Sequence, residues 1–137
     1  MTKEETLIRG ILGPVGSDVR PLVCAVQITG RLLFEERIPQ NDVQVTKHIY
    51  PEAAKLTGKS LTAVSRQLVR LASLCWDQLG EEEGLLLFGR QTKDIRAPRD
   101  MLFYLAYYCR FNMPYYEVLK QNPQLLFGEG GLQKEDA

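Results

Sequence analysis

The chain has 137 residues, 45% of them hydrophobic, enough for one ordinary core and too few for two, so a single domain is expected. Lysine plus arginine number 17, as do aspartate plus glutamate, so the formal net charge is zero and overall electrostatics neither demands nor excludes a polyanionic partner. Three scattered cysteines and a single histidine argue against a disulfide framework, a zinc site or a His-dependent metal cluster, and for reduced core thiols.

The segment Met1 to Glu5 lacks the apolar core of a signal peptide, and no run approaches ~20 apolar residues, so a cytoplasmic protein without a membrane span is expected. Thr2 followed by Glu5 forms a plausible capping box, and Leu7, Ile8, Ile11 and Leu12 then make an apolar stripe ending at Gly13-Pro14. Ser17 or Asp18 can cap the next segment, with Pro21 in its first turn and Leu22, Ala25, Val26, Thr29, Leu32 and Leu33 at helical spacing. The β-branched residues between Val23 and Thr29 make a hairpin turning at Gly30-Arg31 a rival on propensity. The stripe continues past Gly30 without changing face, which favours a helix.

Ile38 to Asp42 reads as a loop, with Asn41 or Asp42 available to cap the following helix, and Pro51 predicts a kink or restart near Ile49-Tyr50. From Val45 to Leu79 the pattern is a helix, a tight break at Thr57-Gly58-Lys59, and a longer helix over about Ser60 to Gln78 whose natural N-cap is Ser60 or Thr62. On that second helix Leu61, Val64, Leu68, Leu71 and Cys75 share one face, and Thr62, Arg66, Arg70, Ser73 and Asp77 share the opposite one. This layout is that of a helix-turn-helix, a motif whose partner is the DNA major groove. Locally the charge is positive, with Lys47, Lys55, Lys59, Arg66 and Arg70 against Glu52 and Asp77.

Gly84 to Gly89 reads as an apolar, core-filling turn, and Arg90 to Arg99 as a basic loop, either a solvated surface or a phosphate-contacting wing. Pro98 opens a helix through Met101, Leu102, Leu105, Ala106 and Cys109, whose surrounding tyrosines suit core and rim packing better than base stacking. Tyr115 to Lys120 predicts one more short helix, stopped at Asn122-Pro123, and its Tyr-rich surroundings are a candidate homodimer surface. The expected organisation is all-α: a compact bundle of about six helices with a central helix-turn-helix and a short extra C-terminal helix over 1–127, then a disordered tail over 128–137.

Taken in order, several features resemble one family. They are Thr46-Lys47-His48-Ile49-Tyr50-Pro51-Glu52-Ala53-Ala54-Lys55 leading into the motif, Val64-Ser65-Arg66 early in the second helix, and Trp76 near its end. Leu87-Phe88-Gly89 and a basic loop with Pro98 follow. Over roughly Leu7 to Arg110 the chain resembles the C-terminal effector domain of stage 0 sporulation protein A, the response regulator that initiates sporulation in endospore-forming Firmicutes. The resemblance implies an all-helical domain whose helix-turn-helix binds a short DNA box, and it matches Arg66 to a family arginine on the recognition helix. It also implies further basic residues where this chain has Ala63 and Val69, Arg70 standing one place after the latter. The family's phosphoacceptor receiver domain has no counterpart in this sequence.

The resulting expectation is sequence-specific binding of double-stranded DNA and a role in transcription regulation. Arg66, Arg70 and Gln67 are the candidate base contacts, and Lys59, Ser60, Thr62, Ser65, Arg90, Lys93 and Arg96 the candidate phosphate contacts. The alternative is a helical protein-interaction module that kept the fold and lost the operator contacts. No cofactor, metal or small-molecule substrate is expected and no enzymatic activity, because the sequence offers no nucleophile–histidine arrangement, glycine-rich phosphate loop or zinc spacing.

Overall fold

The computed structural model describes residues 2–14, 16, 18–89 and 98–128, which form eight α-helices, two π-helical turns and one 3-10 turn, with no strand among the described residues. Helix α1 (Lys3–Leu12) begins as expected: Thr2 Oγ1 accepts the Glu5 N–H at 3.1 Å. It buries Ile8 and Leu12. Before α2 (Arg20–Gly30), Asp18 Oδ1 accepts the Arg20 N–H at 3.0 Å, and Pro21 fills the first turn; Ser17 lies outside the described residues.

The segment that a hairpin contested is helical. Leu22, Ala25, Val26, Thr29, Leu32 and Leu33 are all buried, so one stripe runs through α2 into a π-helical turn (Arg31–Glu35). Its one polar member, Thr29, returns its hydroxyl to the Ala25 carbonyl at 2.7 Å, which removes the cost of burying it.

A second π-helical turn (Val45–Ile49) leads into α3 (Tyr50–Thr57). Pro51 has no N–H, and in a continuous α-helix its ring would meet the carbonyl four residues back. Widening the preceding turn, so that the Tyr50 N–H donates to the Val45 carbonyl, absorbs the misfit. Neither Asn41 nor Asp42 caps this entry, contrary to expectation. Both lie in the 3-10 turn (Gln40–Asp42), and the cap position falls to Gln44, whose N–H is accepted by His48 Nδ1 at 2.9 Å.

Helix α3 closes on Gly58 at φ 68° and ψ 26°, with the Lys59 N–H on the Ala54 carbonyl at 3.1 Å and the Gly58 N–H on the Lys55 carbonyl. Such a left-handed closure suits glycine, which has no Cβ to clash. Helix α4 (Leu61–Gln78) follows at once, Ser60 Oγ accepting the Ala63 N–H at 3.1 Å. Val64, Leu68, Leu71, Ala72, Cys75 and Trp76 form its buried face. Leu61, expected there too, is 49% exposed: at the first helical position its side chain leans back over the turn and not onto the core.

The stretch read as a core-filling turn is the end of a helix, α5 (Glu81–Phe88), which buries Leu87 and Phe88, leaves Leu85 and Leu86 exposed, and closes at Gly89 with φ 89°. Helix α6 (Pro98–Phe111) then buries seven consecutive residues, Met101 to Tyr107. Packing is pairwise among α2, α4 and α6; α1 touches all three, and α3 lies against α2 and α4.

The short helix expected over Tyr115 to Lys120 forms and stops at Asn122-Pro123 as expected, but the helical chain goes on past Pro123. This proline separates α7 (Tyr115–Gln121) from a one-turn α8 (Gln124–Phe127), since proline is well placed to start a new helix. The tyrosines of this region serve the chain's own core. Tyr107 Oη donates to Gln40 Oε1 at 2.9 Å and Gln40 Nε2 donates to Tyr115 Oη at 2.7 Å, pinning the 3-10 turn to α6 and α7. Tyr104 packs edge-on to Tyr115 and Trp76, and the Trp76 ring also meets Phe88. The aromatic surface expected to receive a second copy is therefore largely used internally. Of the disordered tail expected over 128–137, Gly128 instead closes α8 with its N–H on the Gln124 carbonyl at 2.7 Å, and the remainder lies outside the described residues.

Candidate nucleic-acid interface

The sequence of α4 divides the helix into two faces, and the fold keeps them apart. Thr62, Arg66, Arg70, Ser73 and Asp77 are all exposed, opposite the buried Val64, Leu68, Leu71 and Cys75. Arg66 and Arg70 are one turn apart, about 6 Å along the axis, close to the rise of two base pairs. Arg66 makes no hydrogen bond or ion pair with another described residue. Thr62 lies in the first turn of α4, where backbone N–H groups and the helix dipole favour an anion.

Two of the candidate contacts are already engaged inside the chain. Lys59 Nζ lies 2.8 Å from Gln67 Oε1 and 3.5 Å from Asp18 Oδ2, while Gln67 Nε2 donates to the Asp18 main-chain carbonyl at 2.9 Å. Both ends of the Gln67 amide are therefore occupied, and it ties α4 to the residues that start α2. Asp18 is the hub: Arg20 grips its carboxylate with Nε at 3.0 Å and Nη2 at 2.8 Å. Those hydrogen bonds, with Lys59 adding its charge, hold the Asp18 carboxyl well below the usual carboxylate range.

The hydroxyls divide similarly. Ser60 Oγ caps α4, and Ser65 Oγ donates to the Leu61 carbonyl at 2.8 Å, so each is tied to backbone. Arg90, Lys93 and Arg96 lie outside the described residues. The structure thus gathers Thr62, Arg66 and Arg70 on one solvent-exposed stripe and keeps Lys59 and Gln67 on a flank bonded to Asp18.

The acidic residue of α3 is paired from outside the motif. Arg31, in the first π-helical turn, meets Glu52 with Nη1 at 2.5 Å and Nη2 at 2.8 Å, and its Nε reaches Glu36 at 2.8 Å. The Arg31 hydrogen bonds lower the Glu52 carboxyl below its ordinary value. Arg31 and Arg20 are matched in number by Glu36 and Asp18, so these outside partners leave the motif's local positive excess unchanged and alter only which of its charges, Glu52 and Lys59, are engaged. Sequence reasoning missed Asp18 and Arg31 as organisers of this surface. Their partners lie 49 and 21 residues away, beyond any local pattern.

Chemistry at the cysteines is correspondingly quiet. All three are free thiols, and burial pushes Cys75 up to about 12 and Cys109 up to about 11. No helix among the described residues is long and apolar enough to cross a membrane.

An all-α bundle in which a helix, a glycine-closed turn and an 18-residue helix present an arginine stripe to solvent is the class of domain that fold and surface define. No family model, curated protein or solved structure matches the chain.

Proposed function

We propose that this chain is a sequence-specific double-stranded-DNA-binding protein that lays the exposed face of α4 in the major groove and acts as a transcriptional regulator. One observation carries the reading: Arg66 and Arg70 stand exposed one turn apart, opposite the core face of a helix that follows a glycine-closed turn. Each arginine can donate two hydrogen bonds to guanine O6 and N7, a pair worth about 1–3 kcal/mol of base discrimination. Thr62 and the N-terminal turn of α4 meet phosphate and set the register. Gln67 orients α4 through Asp18 instead of reading adenine, and Lys59 meets phosphate only by exchanging Asp18 for it. The resemblance to the sporulation effector domain supports the same orientation and a sporulation-related role. This is a binding protein and not an enzyme.

A second reading, the protein-interaction module, draws on Leu56, Leu61 and Val69, large apolar side chains that are 64%, 49% and 44% exposed on the same two helices. Selection of random-sequence duplexes at low and moderate salt separates the two. The regulator enriches a motif, Arg66→Ala relaxes it at one position, and the affinity falls with salt in proportion to the phosphates neutralised. If no motif emerges and weak binding is the same in the Arg66→Ala/Arg70→Ala double variant, the DNA reading fails and the interaction module stands.

A further inference from the structure

Away from α4, a cleft of about 820 Å³ opens between the first π-helical turn, the end of α6, and α8. Its size falls within the ~300–1,000 Å³ typical of small-molecule sites. Leu33, Phe34, Phe111, Leu125 and Phe127 supply apolar walls, and Phe127 is 52% exposed to it and to solvent. Two arginines, Arg37 and Arg110, share the rest of the lining with Ile38, Pro39, Asn122, Gln124 and Gly128, and no carboxylate among the described residues joins them. Both arginines are exposed, and neither makes a hydrogen bond or ion pair with another described residue.

The backbone at Arg37 adds an independent observation. It lies at φ 57°, the left-handed region that non-glycine residues rarely occupy. Such a conformation persists where the surroundings over-determine it, and it tends to mark ligand sites and switches. Here it carries a cation to the edge of a cleft of mixed polar and apolar lining. The wide turn that supplies Leu33 and Phe34 is likewise of a kind found disproportionately at functional sites.

We propose that this cleft binds a small anionic amphiphile, a carboxylate head held by Arg37 and Arg110 with an alkyl or aromatic body against Phe34, Phe111 and Phe127. A planar guanidinium matches a carboxylate with two parallel hydrogen bonds, and the apolar walls gain by leaving water. A bare inorganic anion would satisfy the arginines and leave those walls wet, whereas an uncharged hydrocarbon would do the reverse. The site shares no residue with α4, so it stands or falls independently of DNA binding.

The test is calorimetric titration of the full chain with decanoate, with decanol as the uncharged control, repeated on Arg110→Gln and Arg37→Gly. Glycine at 37 keeps the left-handed backbone accessible while removing the charge. Decanoate is expected to bind saturably at one per chain and at least tenfold more tightly than decanol, and each variant to weaken it about tenfold or more, the loss of an ionic hydrogen bond. Both variants should retain the wild-type helical circular dichroism, because the two side chains are exposed. Non-saturable decanoate heat, equal affinity for decanol, or unchanged affinity in both variants overturns the proposal.

Discussion

Gly10 and Gly58 should respond to alanine with opposite signs, although a Cβ at either position meets nothing within 4 Å. Packing therefore decides neither substitution; the backbone does. Gly58 sits at φ 68° and ψ 26°, where an L side chain costs about 1–2 kcal/mol. Reduced freedom of the unfolded chain returns about 0.4–1 kcal/mol, leaving Gly58→Ala destabilised by about 1 kcal/mol. Gly10 lies inside α1 with no positive φ, so Gly10→Ala should gain about 0.5–1 kcal/mol. The pair should differ by about 2 kcal/mol, read as opposite shifts of the urea midpoint at unchanged m. Asparagine tolerates the left-handed region, so Gly58→Asn should fall between wild type and Gly58→Ala. If both alanine variants move the midpoint in the same direction, or Gly58→Ala matches wild type, the account of this turn is wrong.

Acid and thiol chemistry provide two further checks. Asp18 and Glu52 are held below their ordinary values in the fold, chiefly by hydrogen bonds from Arg20 and Arg31 respectively, so both protonate more readily when unfolded. The stability they add is full above their unfolded values of 3.8 and 4.5 and is lost as pH falls through the folded values. The urea midpoint should therefore drop on acidification from about pH 5 to about pH 3, and Asp18→Asn and Glu52→Gln should each flatten the drop; an unaltered slope in both counts against these clamps. Cys75, buried and pushed up to about 12, should resist iodoacetamide in the native protein and react once urea unfolds it. Mass-mapped alkylation of Cys75 at the rate of a free thiol would contradict its placement in the core.

Local signals in this chain were legible because their physics is local. Thr2 and Ser60 cap helices through N–H groups three residues on, Gly58 closes a turn, and Pro51 disturbs only the turn before it. The apolar stripe from Leu22 to Leu33 was readable for the same reason: helical period alone puts those residues on one side. Leu61 misled because periodicity assigns a face but not how far along the helix its neighbours extend. Asn41 and Asp42 misled because a capping residue matters only where the helix begins, and the π-helical turn moved that beginning to Val45.

By itself, the sequence determined an all-helical chain, the position of the turn at Gly58, and the division of α4 into an apolar face and an arginine face. These follow from intervals of three and four residues. Tertiary structure alone decided which polar side chains on that surface remain open. Lys59 and Gln67 look as available in the sequence as Arg66, yet the start of α2 comes to lie beside them and Asp18 engages both. Glu52 looks like a local negative charge, yet Arg31 covers it from the first π-helical turn. Availability depends on what folds alongside, and that is set by packing between elements and not by any pattern within one.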